Sequence, residues 1–204
     1  MFTTMKQIFT LLLVSLMLCS CATTSVISSW KHENSTSLTM KKILVVGLMG
    51  EREPELREAT ERTVAQALTN SGIYAVARID AIGAPLKDMM ANNDLINNEL
   101  KENGYDGVML VSLISKDKNI DVNVYHPGYY GWHGPYLAPG TIDPVSISTE
   151  YMLEANLYTV TPDKLMYSVL TKSFEQASPK RLSKKFANAV IQDMQKQRLV
   201  QQTK

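Results

Sequence analysis

The chain has 204 residues, 45% of them apolar and 20% charged, with a formal net charge of +1. That length suffices for one hydrophobic core and little more. The balanced charge lacks the basic excess by which nucleic-acid binders hold phosphate, so no nucleic-acid partner is expected. With only Cys19 and Cys21 present, no disulfide framework is available, and the fold must rest on its apolar core.

In chain order, Lys6 is followed by a short apolar run, Ile8, Phe9, Leu11 to Val14 and Leu16 to Leu18. A spanning helix needs about 20 apolar residues, whereas this run has the length of a secretory h-region, roughly 7–15 residues. It ends in Leu18-Cys19-Ser20-Cys21, which resembles the lipobox of bacterial lipoproteins. The resemblance implies that residues 1–20 are a signal peptide and that Cys21 becomes the acylated first residue; an ordinary signal peptide cut nearby is the alternative. Losing Lys6 leaves 20 basic against 20 acidic residues and no free thiol. Two or more acyl chains are enough for stable anchoring in a membrane. Ala22 rather than aspartate follows the cysteine. By resemblance to enteric sorting, that implies the outer membrane of a Gram-negative bacterium.

Residues 21–40 read as the lipid anchor and a Ser/Thr-rich tether. Val26, Ile27 and Trp30 interrupt its polarity, as a short strand or a plug on the domain would, and Trp30 is expected to pack rather than bind. Residues 41–200 are expected to form a single domain. Lys42–Met49 is a continuous apolar run, as in a strand buried on both faces. Leu56, Thr60, Thr63, Val64, Ala67 and Leu68 then recur at helical spacing, with Glu and Arg opposite, Glu58 and Arg62 at i,i+4, and Gly72 as a C-cap. Ile73–Ile79 reads as a second strand, and residues 84–104 as one helix or two short ones ending at Gly104. Asp106–Ile114 is the best candidate for a central strand, continued by the alternating Ile120, Val122 and Val124. Two strand–helix–strand units argue for parallel pairing. From Ile147 to Leu157 the pattern alternates, Thr161-Pro162-Asp163-Lys164 makes a turn, and Leu165–Phe174 returns as an antiparallel partner. Ser178-Pro179 opens an amphipathic helix that buries Leu182, Phe186, Ala189, Val190 and Met194. The expected fold is α/β with a mixed sheet, in the order β-α-β-α-β, then a β-hairpin strand pair and a C-terminal helix.

The apolar first strand, the Glu/Arg-rich helix ending in Leu68-x-x-x-Gly72, the YDGVMLVSL strand and the TPDKLMYS turn together resemble a broad group of bacterial lipoproteins. Many members of that group are described only as domains of unknown function. Its domains are similar to the amino-terminal domain of TolB and to accessory lipoproteins of export machines. Tyr167 stands where that group commonly carries tryptophan. The resemblance brings no catalytic residues.

The most unusual stretch is Tyr125–Pro139, YHPGYYGWHGPYLAP. Tyr125, Tyr129, Tyr130, Trp132 and Tyr136 are five of the chain's fifteen aromatics, spaced by Gly128, Gly131 and Gly134. Glycines turn the backbone tightly, and Tyr and Trp are enriched at binding hot spots. With His133, these residues are the candidate partner-binding set. Packing on the chain's own sheet, stacking on sugar rings and contact with lipid head groups are the competing readings. His126, His133 and Asp143 have no fixed spacing that would mark a zinc site, so no metal is expected. No serine sits in a GxSxG elbow. Gly47-Leu48-Met49-Gly50 lacks the ending of a phosphate loop, and Glu51, Glu53 and Glu55 would repel phosphate. Glu150 and Glu154 read as a solvated strand face, and Lys180, Arg181, Lys184 and Lys185 as a solvated helix face that is also suited to anionic head groups.

These residues define an expectation: a lipid-anchored, non-catalytic structural or accessory interaction module of a cell-envelope assembly. It needs no cofactor and no small-molecule substrate. It meets the membrane through its acyl chains and meets an envelope protein partner. The alternative is a peptidoglycan- or polysaccharide-binding module that uses loop 125–139.

Overall fold

The computed structural model describes residues 24–33, 38, 40–50, 52–81, 100–121, 146–175 and 178–200. Within them, strands β1 (Thr24–Lys31), β2 (Lys42–Leu48), β3 (Tyr74–Ala77), β4 (Gly107–Asp121), β5 (Ser146–Val160) and β6 (Asp163–Glu175) join in one sheet. Helix α1 is Pro54–Asn70, α2 is the single turn Arg78–Ala81, and α3 is Pro179–Lys196. The strand order is β1-β6-β5-β4-β2-β3. β2 pairs in parallel with both β3 and β4, whereas the β4–β5, β5–β6 and β6–β1 pairs are antiparallel. The predicted α/β fold with a mixed sheet and a closing helix is the observed one, and the sheet is open.

β2 is apolar from Ile43 to Leu48 because both of its faces are covered. Ile43 and Val45 face the main core, built with Leu56, Val64 and Leu68 of α1 and Leu182, Phe186, Val190 and Met194 of α3. Leu44 and Val46 face a second, smaller cluster with Leu100 and Tyr105. α1 and α3 therefore share one face, and the turn at residues 100–102 covers the other over the parallel part of the sheet. A buried hydrogen bond of 2.9 Å between the hydroxyls of Thr60 and Ser183 joins the two helices where small residues bring them close.

α1, α3 and the helical turn at residues 100–102 end by one mechanism, in which a left-handed residue lets two amides turn back onto the last carbonyls. At Gly72 (φ +90°) and Gly104 (φ +69°) glycine adopts this conformation without a steric penalty. Ile73 N–H donates to the Leu68 carbonyl, and Tyr105 N–H to that of Leu100. α3 ends the same way on Arg198 (φ +61°), with Leu199 N–H donating to the Met194 carbonyl at 2.8 Å.

Two departures from the sequence expectation position the rest. The strand after Gly72 spans only Tyr74–Ala77, because Arg78 turns into α2 to meet a buried carboxylate. Thr24–Lys31, inside the stretch read as a tether with a short strand or plug at Val26–Trp30, is longer than expected, a full edge strand paired with β6 from Thr24↔Ser173 to Lys31↔Tyr167 across a bulge at Ile27.

Candidate functional site

β1 is held by polar groups, which is why a serine-rich sequence supplies it. Asp193 of α3 is buried and its carboxylate collects three donors. Tyr167 Oη donates at 2.8 Å, Ser29 Oγ at 3.2 Å and Gln197 Nε2 at 2.9 Å. Lys31 Nζ caps the end of α3 by donating to the Gln197 carbonyl at 2.9 Å, and the hydroxyls of Thr24 and Ser173 lie 2.8 Å apart. Burial, reinforced by the hydrogen bond to Asp193, drives the Tyr167 phenol well above its ordinary range, so it stays a donor. β1, β6 and α3 are thus joined through one buried carboxylate.

The other side of β1 is open. Ile27, at the bulge between Val26 and Ser28, is 48% exposed, and Trp30 is 47% exposed with its ring edge-on to His32 at 6.2 Å. The expectation that Trp30 packs into the domain is corrected, because its strand position places it opposite the inward-facing Ser29 and Lys31. A free edge strand with exposed large side chains is a template for association. The opposite edge, β3, has four residues and exposes Tyr74.

The carboxyl end of the parallel strands, where open α/β sheets commonly bind ligands, is filled by the protein itself. Glu61, fully buried, accepts from Gly47 N–H at 2.9 Å, Arg78 Nε at 3.2 Å and Ile79 N–H at 2.9 Å. A Cβ on Gly47 would come within 2.7 Å of Arg57 Cγ and 3.3 Å of Glu61 Oε1. The amide of Gly47, in the stretch that faintly resembles a phosphate loop, thus meets a carboxylate, and the ion pair ties β2, α1 and α2 together. Beside it, Glu53 pairs with Lys116, whose pKa this hydrogen bond raises.

Several sequence candidates lie outside the described residues: Cys21, His126, Asp143 and the set Tyr125, Tyr129, Tyr130, Trp132, His133 and Tyr136. The structure places the two ends of their loop. Asp121 and Ser146 pair in register, so residues 122–145 leave and re-enter at the end of the sheet where β1 begins. Glu150 and Glu154 share a strand face, four residues and about 13 Å apart along the strand, too far for a glycosidase pair at about 5–10 Å. Glu150 is bound to Lys172 at 2.8 Å, and Glu154 accepts from Asn156 at 2.9 Å. Lys180, Arg181 and Lys184 are exposed on the first turns of α3. Among the described residues, no group of three His, Cys, Asp or Glu side chains could hold a metal, and no helix is long and apolar enough to cross a membrane.

Sequence reasoning missed Asp193 and Glu61. The signal for Asp193 was its spacing, three residues beyond Val190 on the buried stripe of α3, although its partners Tyr167 and Ser29 lie far away in sequence.

Among the described residues, the class of molecule is therefore an open mixed α/β sheet with α1 and α3 on one face and β1 at one edge. No protein-family model matches the chain, and no curated protein matches its sequence. Among solved structures, it is similar to the PelC dodecamer from Paraburkholderia phytofirmans, with a TM-score of 0.51 and 9% identity over 86% of this chain and 98% of that one. It is also matched to lipoprotein GNA1162 from Neisseria meningitidis, with a TM-score of 0.47 and 15% identity over 76% of this chain and 98% of that one. The fold is one that bacterial proteins carry, and a protein named as a lipoprotein is among the structures matched.

Proposed function

We propose that the protein is a lipid-anchored, non-catalytic interaction module of a bacterial cell-envelope assembly, attached through acyl chains on Cys21 to the outer membrane and facing an envelope protein partner. The observation that carries this reading is the strand that starts three residues after Cys21. β1 is a full member of the sheet, bound along its length to β6 and to α3 through Asp193. A membrane attachment at Cys21 then holds the whole domain, and confinement raises its effective concentration for neighbours at the same surface. The partner-facing surface is the free edge at Ile27 and Trp30, together with the aromatic residues of 125–139. The similarly folded PelC is a dodecamer, which supports a role in assemblies.

Cross-linking in living cells, read by mass spectrometry of the detergent-purified protein, tests this. Wild type is compared with Trp30→Ala and with a Tyr129, Tyr130, Trp132→Ala triple variant, each folded and localised normally. Specific protein cross-links that vanish in either variant support the module and name its partner. Identical profiles in all three remove both surfaces from the proposal. Binding of wild type to purified sacculi, lost in the triple variant, would favour a glycan-binding role instead.

A further inference from the structure

We infer that one end of the sheet, made by the start of β1, the end of β6 and the first turn of α3, lies against anionic phospholipid head groups. This rests on the reading that Cys21 is acylated. Three residue steps separate Cys21 from Thr24, a reach of at most about 11 Å. Thr24 is fixed in the sheet, level with Ser173, Tyr151 and Lys116 through successive pairings. The anchor therefore works as a short leash on one defined end of the domain, not as a long tether.

Three further features gather at that end. α3 runs alongside β1 in the same direction, because its Asp193 and Gln197 meet Ser29 and Lys31 at the far end of the strand. Its opening residues, the exposed Lys180, Arg181 and Lys184, are thus level with Thr24. Phe174, 46% exposed, stands beside Thr24's partner Ser173, with Lys172 Nζ 5.1 Å from its ring centroid. The paired strands β4 and β5 run on for five residues past the level of Thr24, to Asp121 and Ser146. That extension is about 17 Å, longer than the leash. An acylated Cys21 thus brings the β4–β5 arm to the bilayer surface, with a basic helix end beside it to meet anionic head groups. At this level Glu150 is paired with Lys172 and Glu53 with Lys116, whereas Asp117 is exposed one residue past it and the strands end in Glu175 and Asp121, so the basic first turn of α3 alone carries the anionic contact. Glu55 is exposed at the start of α1, which packs on the first turns of α3 through Thr60 and Ser183, so it is a further acidic residue at this end.

The test uses the full acylated protein in vesicles of phosphatidylethanolamine and phosphatidylglycerol carrying a head-group nitroxide. Cys19 leaves with the signal and Cys21 is blocked by lipid, so one new thiol labels uniquely. Phe174→Cys and Lys180→Cys sample the proposed contact. Asp163→Cys and Tyr74→Cys sample the far end, with Asp163 about 33 Å from Ser173 along β6. The expected result is loss of NBD emission at 174 and 180 with emission retained at 74 and 163. In the Lys180, Arg181, Lys184→Gln variant, quenching at 174 falls in phosphatidylglycerol vesicles. Equal quenching at all four positions, with acyl mass confirmed on Cys21, overturns the orientation. Unchanged quenching in the charge variant overturns the anionic contact, and absence of the acyl mass overturns the anchoring reading itself.

Discussion

Arg198 carries a left-handed φ of +61° at the position where Gly72 and Gly104 end the other helical segments. A side chain in that conformation costs roughly 1–2 kcal/mol. Arg198→Gly should therefore stabilise the protein by about 1 kcal/mol, read as a higher urea midpoint at constant slope. Tyr167 gives a pH prediction. Its phenol is raised above its ordinary 10.0, chiefly by burial and then by Asp193. Below pH 10 the folded and unfolded states both keep the proton. Above it the unfolded chain releases the proton and the folded chain does not, so stability falls by about 1.4 kcal/mol per pH unit. Tyr167→Phe should lower stability at neutral pH, by about 1 kcal/mol for the lost hydrogen bond, and flatten this alkaline slope. Urea unfolding of both forms between pH 9 and 11 checks it; parallel slopes would show that another group governs the decline.

At the scale of elements, the two buried carboxylates have different jobs. Glu61 joins the ends of β2 and α2 to α1, and Glu61→Ala removes the buried carboxylate that Arg78 meets at 3.2 Å. Breaking such a pair costs about 3–5 kcal/mol. Asp193 fixes β1, and Asp193→Ala strands the buried hydroxyl of Tyr167, which costs about 1–3 kcal/mol and loosens the N-terminal strand. Amide exchange along Thr24–Lys31 should accelerate while α1 stays protected. Trp30→Ala, by contrast, should change stability by less than about 0.5 kcal/mol, because the ring is exposed. The same division explains what the sequence made legible. β2 was readable as a continuous apolar run, and α1 and the β5–β6 hairpin because their apolar residues follow the period of the element. β1 was only half readable. Its inward residues Thr24, Ser29 and Lys31 meet polar partners more than a hundred residues away, while Ile27 and Trp30 lie exposed. With serines on both faces, a bulge at Ile27 that breaks the alternation, and polar contacts holding its inward side, the strand lacks the pattern by which strands are recognised, and so the stretch resembles a linker.

For the molecule as a whole, the consequence of the proposed acylation at Cys21 is geometric. A tether reaching from residue 21 to residue 40 would let the domain sample many heights and orientations above its membrane. With β1 in the sheet, the free chain shrinks to the steps between Cys21 and Thr24, and the exposed edge at Trp30 stands at a set height. Because of the bulge at Ile27, Trp30 stands five positions along the sheet from Thr24, level with Ser168 where Thr24 is level with Ser173, about 17 Å away, placing the edge where a neighbouring protein domain would meet it. Insertion of ten Gly/Ser residues between Ala22 and Thr23 releases that constraint, adding a flexible span of about 18 Å. It should leave the thermal midpoint unchanged, since no residue of the sheet is altered. Cross-links from the β1 edge should decline, because the partner now meets that edge over a wider range of heights. Midpoint and cross-link yield, measured on the same acylated preparation, separate the effects: an unchanged midpoint with an unchanged cross-link pattern would mean that the partner, not the leash, sets the position of the edge.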